Sequence, residues 1–174
     1  MTETEFLSQI IQDTSRFLPR FIDLLQREQI SCCVIGGLAV NAYAEPVVSL
    51  DLDIVIVATQ TKKLLECLPE NCAVKTYPNS INLSDPASAL RIQIQSDPRY
   101  QEMIARATRK NVLGYPLPVA AIADVFQGKV WAAGDKQRRP SKRQKDLADI
   151  ARLLEIEPQL ISLLPIELKQ RLEM

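Results

Sequence analysis

The chain has 174 residues, of which 47% are hydrophobic and 24% are charged. This balance is typical of a soluble globular protein, and about two-thirds of the unfolded chain's surface can be buried at this length, so the core needs neither disulfides nor zinc. Twenty-one basic residues match 21 acidic ones and there is no histidine, which excludes mechanisms that depend on an imidazole base or ligand.

The four cysteines and the N-terminal residues indicate the compartment. Adjacent Cys32 and Cys33 lie in an apolar run and suit buried thiols, whereas Cys67 and Cys72 form only a weak zinc pattern. The first residues are acidic, and no stretch approaches the roughly 18 consecutive apolar residues of a membrane span. We therefore expect a reduced, bacterial-type cytoplasmic location without membrane contact.

The first third of the chain mixes helices and short strands. Apolar residues at spacings of three and four predict helix over residues 5–28, which Pro19 would divide in two. The elements expected next are a strand at 32–35, a turn at Gly36-Gly37, a helix over 38–44 and a central strand over 50–57.

The remaining chain continues this mixture and then becomes helical. We expect a helix from a Thr59 N-cap to residue 68, a hairpin of 73–77 with 81–83, a strand over 90–95, a helix over 98–107 and extended segments over 111–119. Beyond residue 120 all segments favour helix. The sequence thus predicts an α/β (α+β) fold with a core over 1–119 and a C-terminal helical segment over 120–174 packed on it.

Two motifs combine residue types suited to phosphate chemistry. Asp51 and Asp53, two residues apart on a strand, project from one face and can share a divalent cation such as Mg²⁺. The Gly36-Gly37 turn offers unhindered N–H groups and the positive end of a helix dipole, which can hold a phosphate. Each motif alone is also common as a plain turn or strand end, but together they indicate phosphoryl or nucleotidyl transfer.

The order of these motifs resembles a known superfamily. Residues 34–43, Val-Ile-Gly-Gly-Leu-Ala-Val-Asn-Ala-Tyr, followed by residues 49–56, Ser-Leu-Asp-Leu-Asp-Ile-Val-Ile, resemble the core of polymerase-beta-type nucleotidyltransferases. The small bacterial branch with toxin-type (AbiEii-like) and aminoglycoside-modifying members is the most similar. The resemblance implies a mixed sheet with helices packed on it, Mg²⁺, and a nucleoside triphosphate as substrate.

The resemblance also implies roles for residues around the two motifs. Gly36 and Gly37 would face the nucleotide's phosphates, Asp51 and Asp53 would be the catalytic pair that holds magnesium, and Ser49 stands where the family often has threonine.

One position departs from the family's pattern. The third acid of the family lies on a later strand, and the position aligned with it here carries Gln93, a neutral oxygen donor and a poor base. Asp85 and Asp97 flank that strand and could substitute for it, but both precede prolines and are typical of turns.

The C-terminal third carries further candidates. Lys129 and Lys145 match a family pattern of a helix with a lysine followed by a charged helix, although charges on an amphipathic helix are usually only solvated. Residues 129–145 hold seven basic residues against one acidic residue, which can attract a triphosphate, RNA or an acidic protein. A triphosphate or an acidic protein partner is favoured.

Three functions remain open at this level. The first is a magnesium-dependent nucleotidyltransferase that moves a nucleoside monophosphate to a protein, RNA or small-molecule acceptor. The second is a catalytically degenerate nucleotide-binding or partner-binding module of the same fold, as in toxin–antitoxin pairs, which Gln93 favours. The third, a non-enzymatic helical interaction protein, fits poorly with the order of the two motifs.

Overall fold

The N-terminal helix differs from its prediction. The computed structural model describes residues 15–173, so residues 5–14 of the predicted helix lie outside the described residues. Helix α1 spans Phe17–Arg27, and Pro19 lies in its first turn instead of dividing it. The first four N–H groups of a helix have no intrahelical acceptor, so a proline there removes no hydrogen bond. Within the described residues the helix begins two residues before Pro19, and the division of the 5–28 segment in two stays a prediction.

Seven strands form one mixed sheet within residues 15–173. The strands are β1 (Cys32–Ile35), β2 (Asp51–Ile56), β3 (Ala73–Tyr77), β4 (Ser80–Ser84), β5 (Arg91–Gln95), β6 (Thr108–Val112) and β7 (Tyr115–Val119). Their order across the sheet is β3-β4-β5-β2-β1-β7-β6. The predicted α/β class with a mixed sheet is confirmed.

The centre of the sheet is β2, which runs antiparallel to β1 and parallel to β5. Its first half alternates between buried and half-buried residues, and its second half is wholly buried. This pattern follows from the sequence Leu-Asp-Leu-Asp-Ile-Val-Ile, because only the end with aspartates can tolerate water on one face. The acidic end of the strand therefore lies at the edge of the core.

The remaining helices are short until the C-terminal third. They are α2 (Gly36–Asn41), α3 (Thr61–Glu66), α4 (Ile122–Gly134), α5 (Pro140–Ile156) and α6 (Ile166–Arg171), with 3₁₀ segments at Ala58–Gln60, Pro98–Arg106 and Pro158–Leu163. Thr59 lies inside a 3₁₀ turn and caps no helix, which corrects that prediction. Among the described residues no helix could cross a membrane.

The C-terminal helices share the hydrophobic core of the sheet. Phe126 of α4 and Ile150 of α5 are fully buried and belong to one apolar cluster with Val34 of β1 and Ile54 of β2. Fully burying side chains of this size stabilises the fold by about 2 kcal/mol each. This shared packing fixes α4 and α5 beside the acidic end of β2.

The buried cysteines fill the core as thiols. Cys32 and Cys33 are buried and free, and burial raises the pKa of Cys33 to about 12. Neither thiol ionises near neutral pH, so neither is an activated nucleophile.

Candidate active site

A cleft of about 730 Å³ opens between the sheet and the C-terminal helices. Its lining brings together Gly36 after β1, Asp53 of β2, Gln93 of β5, Lys129 of α4 and Asp146 of α5. Residues far apart in the chain meet here because β1, β2 and β5 are neighbours in the sheet and α4 and α5 cover their ends.

The glycine turn contacts the Asp53 carboxylate directly. Gly36 has a φ of +69°, and a Cβ on it would lie 2.2 Å from Oδ2 of Asp53. The contact arises because Ile35, the last residue of β1, is the register partner of Asp53 on β2. Only glycine combines this backbone conformation with so close an approach. The antiparallel pair therefore places the backbone of the turn next to a carboxylate.

The Asp53 carboxyl holds its proton unusually tightly. Its pKa is raised to about 6, chiefly by burial and also by the nearby Asp51, while Lys129, Arg138 and Lys145 act in the opposite direction. The desolvation of the charged form outweighs the attraction to the three cations. A half-buried carboxylate with such a pKa is typical of a functional site, because it exchanges a proton near neutral pH.

The Asp51 carboxylate is bound by an arginine. Arg91 is the register partner of Asp51 across the parallel pair β2–β5. Its Nε donates to Oδ1 of Asp51 at 2.8 Å, and its Nη2 lies 2.8 Å from the same oxygen. The sequence did not predict this ion pair, which depends on β5 lying beside β2 in the sheet.

The donor set fits one divalent cation. Asp51 and Asp53 supply carboxylate oxygens from one face of β2, and Mg²⁺ typically completes its shell with water and substrate phosphates. The residues that the structure describes contain no group of three or more acidic or thiol side chains arranged to hold a metal. A cation on this pair would also have to draw Asp51 away from Arg91.

Gln93 lies directly beside Asp53. Its Cα is the register partner of Asp53 on one side and of Asn82 in β4 on the other. The side chains of Asp53, Gln93 and Asn82 therefore share one face of the sheet, and Oδ1 of Asn82 is buried without a hydrogen-bond partner within residues 15–173. This neutral amide row replaces the third acid that the resemblance leads one to expect.

The two acids that flank β5 act as turn residues. Oδ1 of Asp85 accepts from the N–H of Ala87 at 2.8 Å, and Oδ1 of Asp97 accepts from the N–H of Arg99 at 3.0 Å. Asp97 lines the cleft, but its carboxylate is also bound by the Arg99 guanidinium at 2.7 Å. Neither acid takes the position of Gln93.

Three other predicted residues lie together beside the glycine turn. A Cβ on Gly37 would be 3.4 Å from Oγ of Ser49 and 3.9 Å from Nζ of Lys145. Within residues 15–173 the exposed Lys145 has no carboxylate at ion-pair distance, so its ammonium is available to an anionic ligand. Lys145 comes from α5, which the shared core brings to the first turn of α2.

Lys129 has a different environment from the one expected. It is buried, and its Nζ lies 2.7 Å from Oδ2 of Asp149 and 3.0 Å from Oδ1 of Asp146. Burial alone would lower the pKa of Lys129, but the two carboxylates outweigh it and the pKa is raised. The ammonium is therefore permanently charged and already paired, and it acts on the cleft through its field at Asp53.

The ion pairs of Lys129 connect through Asp149 and Arg152 to α2, the helix that begins at Gly36. Arg152 binds Oδ1 of Asp149 at 2.7 Å and Oδ1 of Asn41 at 2.9 Å, and it also donates to the carbonyl of Glu45. The Asn41 side chain in turn donates to the carbonyl of Val47 at 2.6 Å. This partly buried network holds the loop that leads from α2 into β2, and with it the position of the aspartate pair.

The basic stretch over residues 129–145 divides into separate groups. Arg138 binds Oδ2 of Asp146 at 2.7 Å, and Nε of Arg143 donates to the carbonyl of Ala133 at 3.1 Å. Lys136 and Arg139 are exposed in the connection between α4 and α5. Only part of the stretch is therefore free to attract an anionic ligand.

An aromatic wall that the sequence reasoning missed lines another side of the cleft. The rings of Tyr100 and Trp131 pack edge to face with centroids 5.2 Å apart, and the Arg99 guanidinium lies 4.6 Å from the Trp131 ring centroid. Such a wall offers apolar and cation–π contacts to a ligand. The chain's single tryptophan was the available signal.

Comparisons with known proteins point to one fold. No protein-family model matches the sequence, and no curated protein matches it significantly. The solution structure of the antibiotic-resistance factor ANT(2'')-Ia superimposes with a TM-score of 0.61 at 12% identity, covering 92% of this chain and 95% of that one.

Two further solved structures agree with this. The lincomycin-bound lincosamide antibiotic adenylyltransferase LnuA gives a TM-score of 0.56 at 13% identity, covering 82% of this chain and 99% of that one. An antigenic nucleotidyltransferase-like protein from Paracoccidioides brasiliensis gives a TM-score of 0.52 at 16% identity, covering 86% of this chain and 75% of that one. The chain has the fold of the nucleotidyltransferases.

Proposed function

We propose that the protein is a magnesium-dependent nucleotidyltransferase that moves a nucleoside monophosphate from a nucleoside triphosphate to an acceptor. The observation that carries this proposal is the contact between the Gly36 turn and the Asp53 carboxylate at the cleft. A phosphate-holding backbone and a cation-holding carboxylate must lie side by side for phosphoryl chemistry, and the φ of +69° at Gly36 permits this close approach.

The residues around the turn suit a triphosphate. The N–H groups at Gly36 and Gly37, the Ser49 hydroxyl and the Lys145 ammonium would bind the β- and γ-phosphates. Magnesium, when bound by Asp51 and Asp53, would neutralise phosphate charge and polarise the phosphoryl group under attack. Lys129 would serve as a positioning residue, because its ammonium is paired with Asp146 and Asp149.

The reaction itself exchanges one bond for another. An acceptor oxygen or nitrogen bonds to the α-phosphorus, the bond from that phosphorus to the bridging oxygen breaks, and pyrophosphate leaves. Because Gln93 is neutral, the Asp51 and Asp53 carboxylates are the groups on this sheet face that can take the acceptor's proton. Without bound metal the pKa of Asp53 is raised to about 6, so its carboxyl is ionised above that pH.

A small molecule is the acceptor class that the cleft favours. A volume of about 730 Å³ suits a drug-sized ligand, and the Tyr100–Trp131 wall gives it an apolar side. Among the structural neighbours, LnuA is bound to lincomycin, and ANT(2'')-Ia has been solved with adenylyl-2''-tobramycin. Protein and RNA acceptors remain alternatives that the assay below separates.

The proposal is tested by binding and then by transfer. Each nucleoside triphosphate with Mg²⁺ is expected to raise the melting temperature of the wild type, because a ligand of the folded state stabilises it by mass action. D51N and K145M should reduce that shift. An α-labelled triphosphate is then incubated with cell extract fractionated into protein, RNA and small molecules. The absence of magnesium-dependent label in every fraction would refute the enzyme proposal.

A second candidate is a catalytically degenerate binding module of the same fold. The neutral row of Asn82 and Gln93 beside Asp53 and the ion pair of Arg91 with Asp51 favour it. Such a module, in a bacterial toxin–antitoxin-like setting in the cytoplasm, would use exposed Lys136 and Arg139 to bind an acidic protein. It predicts a thermal shift with triphosphate, no transferred label, and co-elution with an acidic partner that K136E/R139E abolishes.

A further inference from the structure

Arg91 sits where it competes with a cation for Asp51. It contacts Oδ1 of Asp51 through both Nε and Nη2 at 2.8 Å, and a guanidinium in this geometry makes a strong, charge-assisted pair. The pairing is built into the sheet, because the two residues are register partners on parallel strands. The guanidinium is nevertheless 63% exposed, so the side chain has room to leave the carboxylate.

The charges around the site determine whether a free divalent cation can displace Arg91 from Asp51. Asp51 and Asp53 supply two negative charges, and Arg91 cancels one of them. Lys129, Lys145 and Arg138 already act on Asp53 as positive charges, and Gln93 adds none of the negative charge that a third acid would supply. Lys129 and Arg138 are paired with Asp146 and Asp149, and Arg91 and Lys145 offset the two aspartates. A free divalent cation therefore meets a site with little net negative charge, whereas a cation bound to a triphosphate arrives with phosphate oxygens that can take over the guanidinium.

We propose that Arg91 locks the cation site, so that a divalent ion binds Asp51 only together with the triphosphate, to which the Arg91 guanidinium moves from Asp51. The inference rests on the proposed function and adds a rule for the order of binding. Arg91 is a positioning residue in this scheme.

The test measures free Mn²⁺ by electron paramagnetic resonance, with and without α,β-methylene-ATP, for the wild type and R91Q. Removing a unit charge about 6 Å from a divalent ion is worth about tenfold in affinity in a water-like dielectric. R91Q is therefore expected to bind Mn²⁺ alone about five- to tenfold more tightly than the wild type. With the analogue present the difference should shrink below about twofold, because the wild-type lock is then open.

Three further variants separate the explanations. R91K keeps the charge and should bind Mn²⁺ as weakly as the wild type. D51N/R91Q should lose the gain of R91Q, since the ligand is gone. R106Q removes a matched exposed arginine whose guanidinium pairs with Asp124 at 2.9 Å, an acid that also lines the cleft. It should leave Mn²⁺ affinity unchanged, and a gain equal to that of R91Q would overturn the lock.

The results also distinguish the lock from the proposed function. If the wild type binds Mn²⁺ with the analogue but R91Q binds Mn²⁺ alone no more tightly than the wild type, the lock is wrong and the proposed function is unaffected. If neither the wild type nor any variant binds the analogue with Mn²⁺, both the proposed function and the lock are wrong.

Discussion

Replacing Asp53 by asparagine is expected to stabilise the folded protein at neutral pH. The folded-state pKa of Asp53, about 6, lies above the ordinary value of 3.8, so the folded protein binds this proton more tightly than the unfolded chain does. Well below pH 4 both states are protonated and Asp53 does not change the stability of the fold. As the pH rises through 4 to 6 the unfolded state ionises first, and the fold loses stability. Asparagine cannot ionise and escapes this loss.

The size of the effect follows from the two pKa values. The difference between 3.8 and about 6 sets an upper limit of about 3 kcal/mol above pH 7. The Asp53 side chain remains partly open to the cleft, so water reduces the penalty, and we expect about 1 to 2 kcal/mol. For a chain of this size that corresponds to a rise of roughly 3 to 6 °C in melting temperature.

The assay is urea denaturation of wild type and D53N in metal-free buffer at several pH values between 4 and 8. The stability difference should be greatest above pH 7 and vanish towards pH 4. D51N serves as the matched control, because it removes a partly exposed ion pair and should change stability by less than about 1 kcal/mol. A D53N variant no more stable than the wild type at pH 7.5, or an advantage independent of pH, would refute the reasoning.

Three further predictions test the glycine turn, the buried lysine and the neutral amide. In urea denaturation the free energy of unfolding of G36A should fall by at least about 2 kcal/mol, because the new Cβ would overlap a carboxylate at a left-handed backbone position. G37A should keep the wild-type stability, and equal losses in the two variants would contradict this. The free energy of unfolding of K129M should fall by about 3 kcal/mol, because the variant leaves buried carboxylates with one cation fewer. K145M is the control: it should keep the wild-type urea midpoint and lose only the triphosphate-induced thermal shift. Q93E should lower the melting temperature at pH 7.5 in EDTA, and Mg²⁺ should restore it; an unchanged melting temperature would count against a cation site on this face.

Features that depend on neighbouring residues were predictable from the sequence. The alternation in Leu-Asp-Leu-Asp placed Asp51 and Asp53 on one strand face because side chains in any strand alternate with a period of two. The hairpin of β3 and β4 was correct for a similar local reason, since Pro78 and Asn79 interrupt two strand-like runs. The predicted Thr59 cap failed because a short 3₁₀ turn precedes the helix, which depends on how the chain leaves β2.

The sequence by itself determined the fold class, the aspartate pair and the glycine turn, because period-two alternation and backbone freedom are local properties. Only the tertiary structure decided what these residues touch. The contact of Gly36 with Asp53 needs the β1–β2 register, the pairing of Arg91 with Asp51 needs β5 beside β2, and the burial of Lys129 needs α5 packed on α4. Each joins residues at least 17 positions apart, and such contacts arise from the collective burial of the core, which no local pattern encodes.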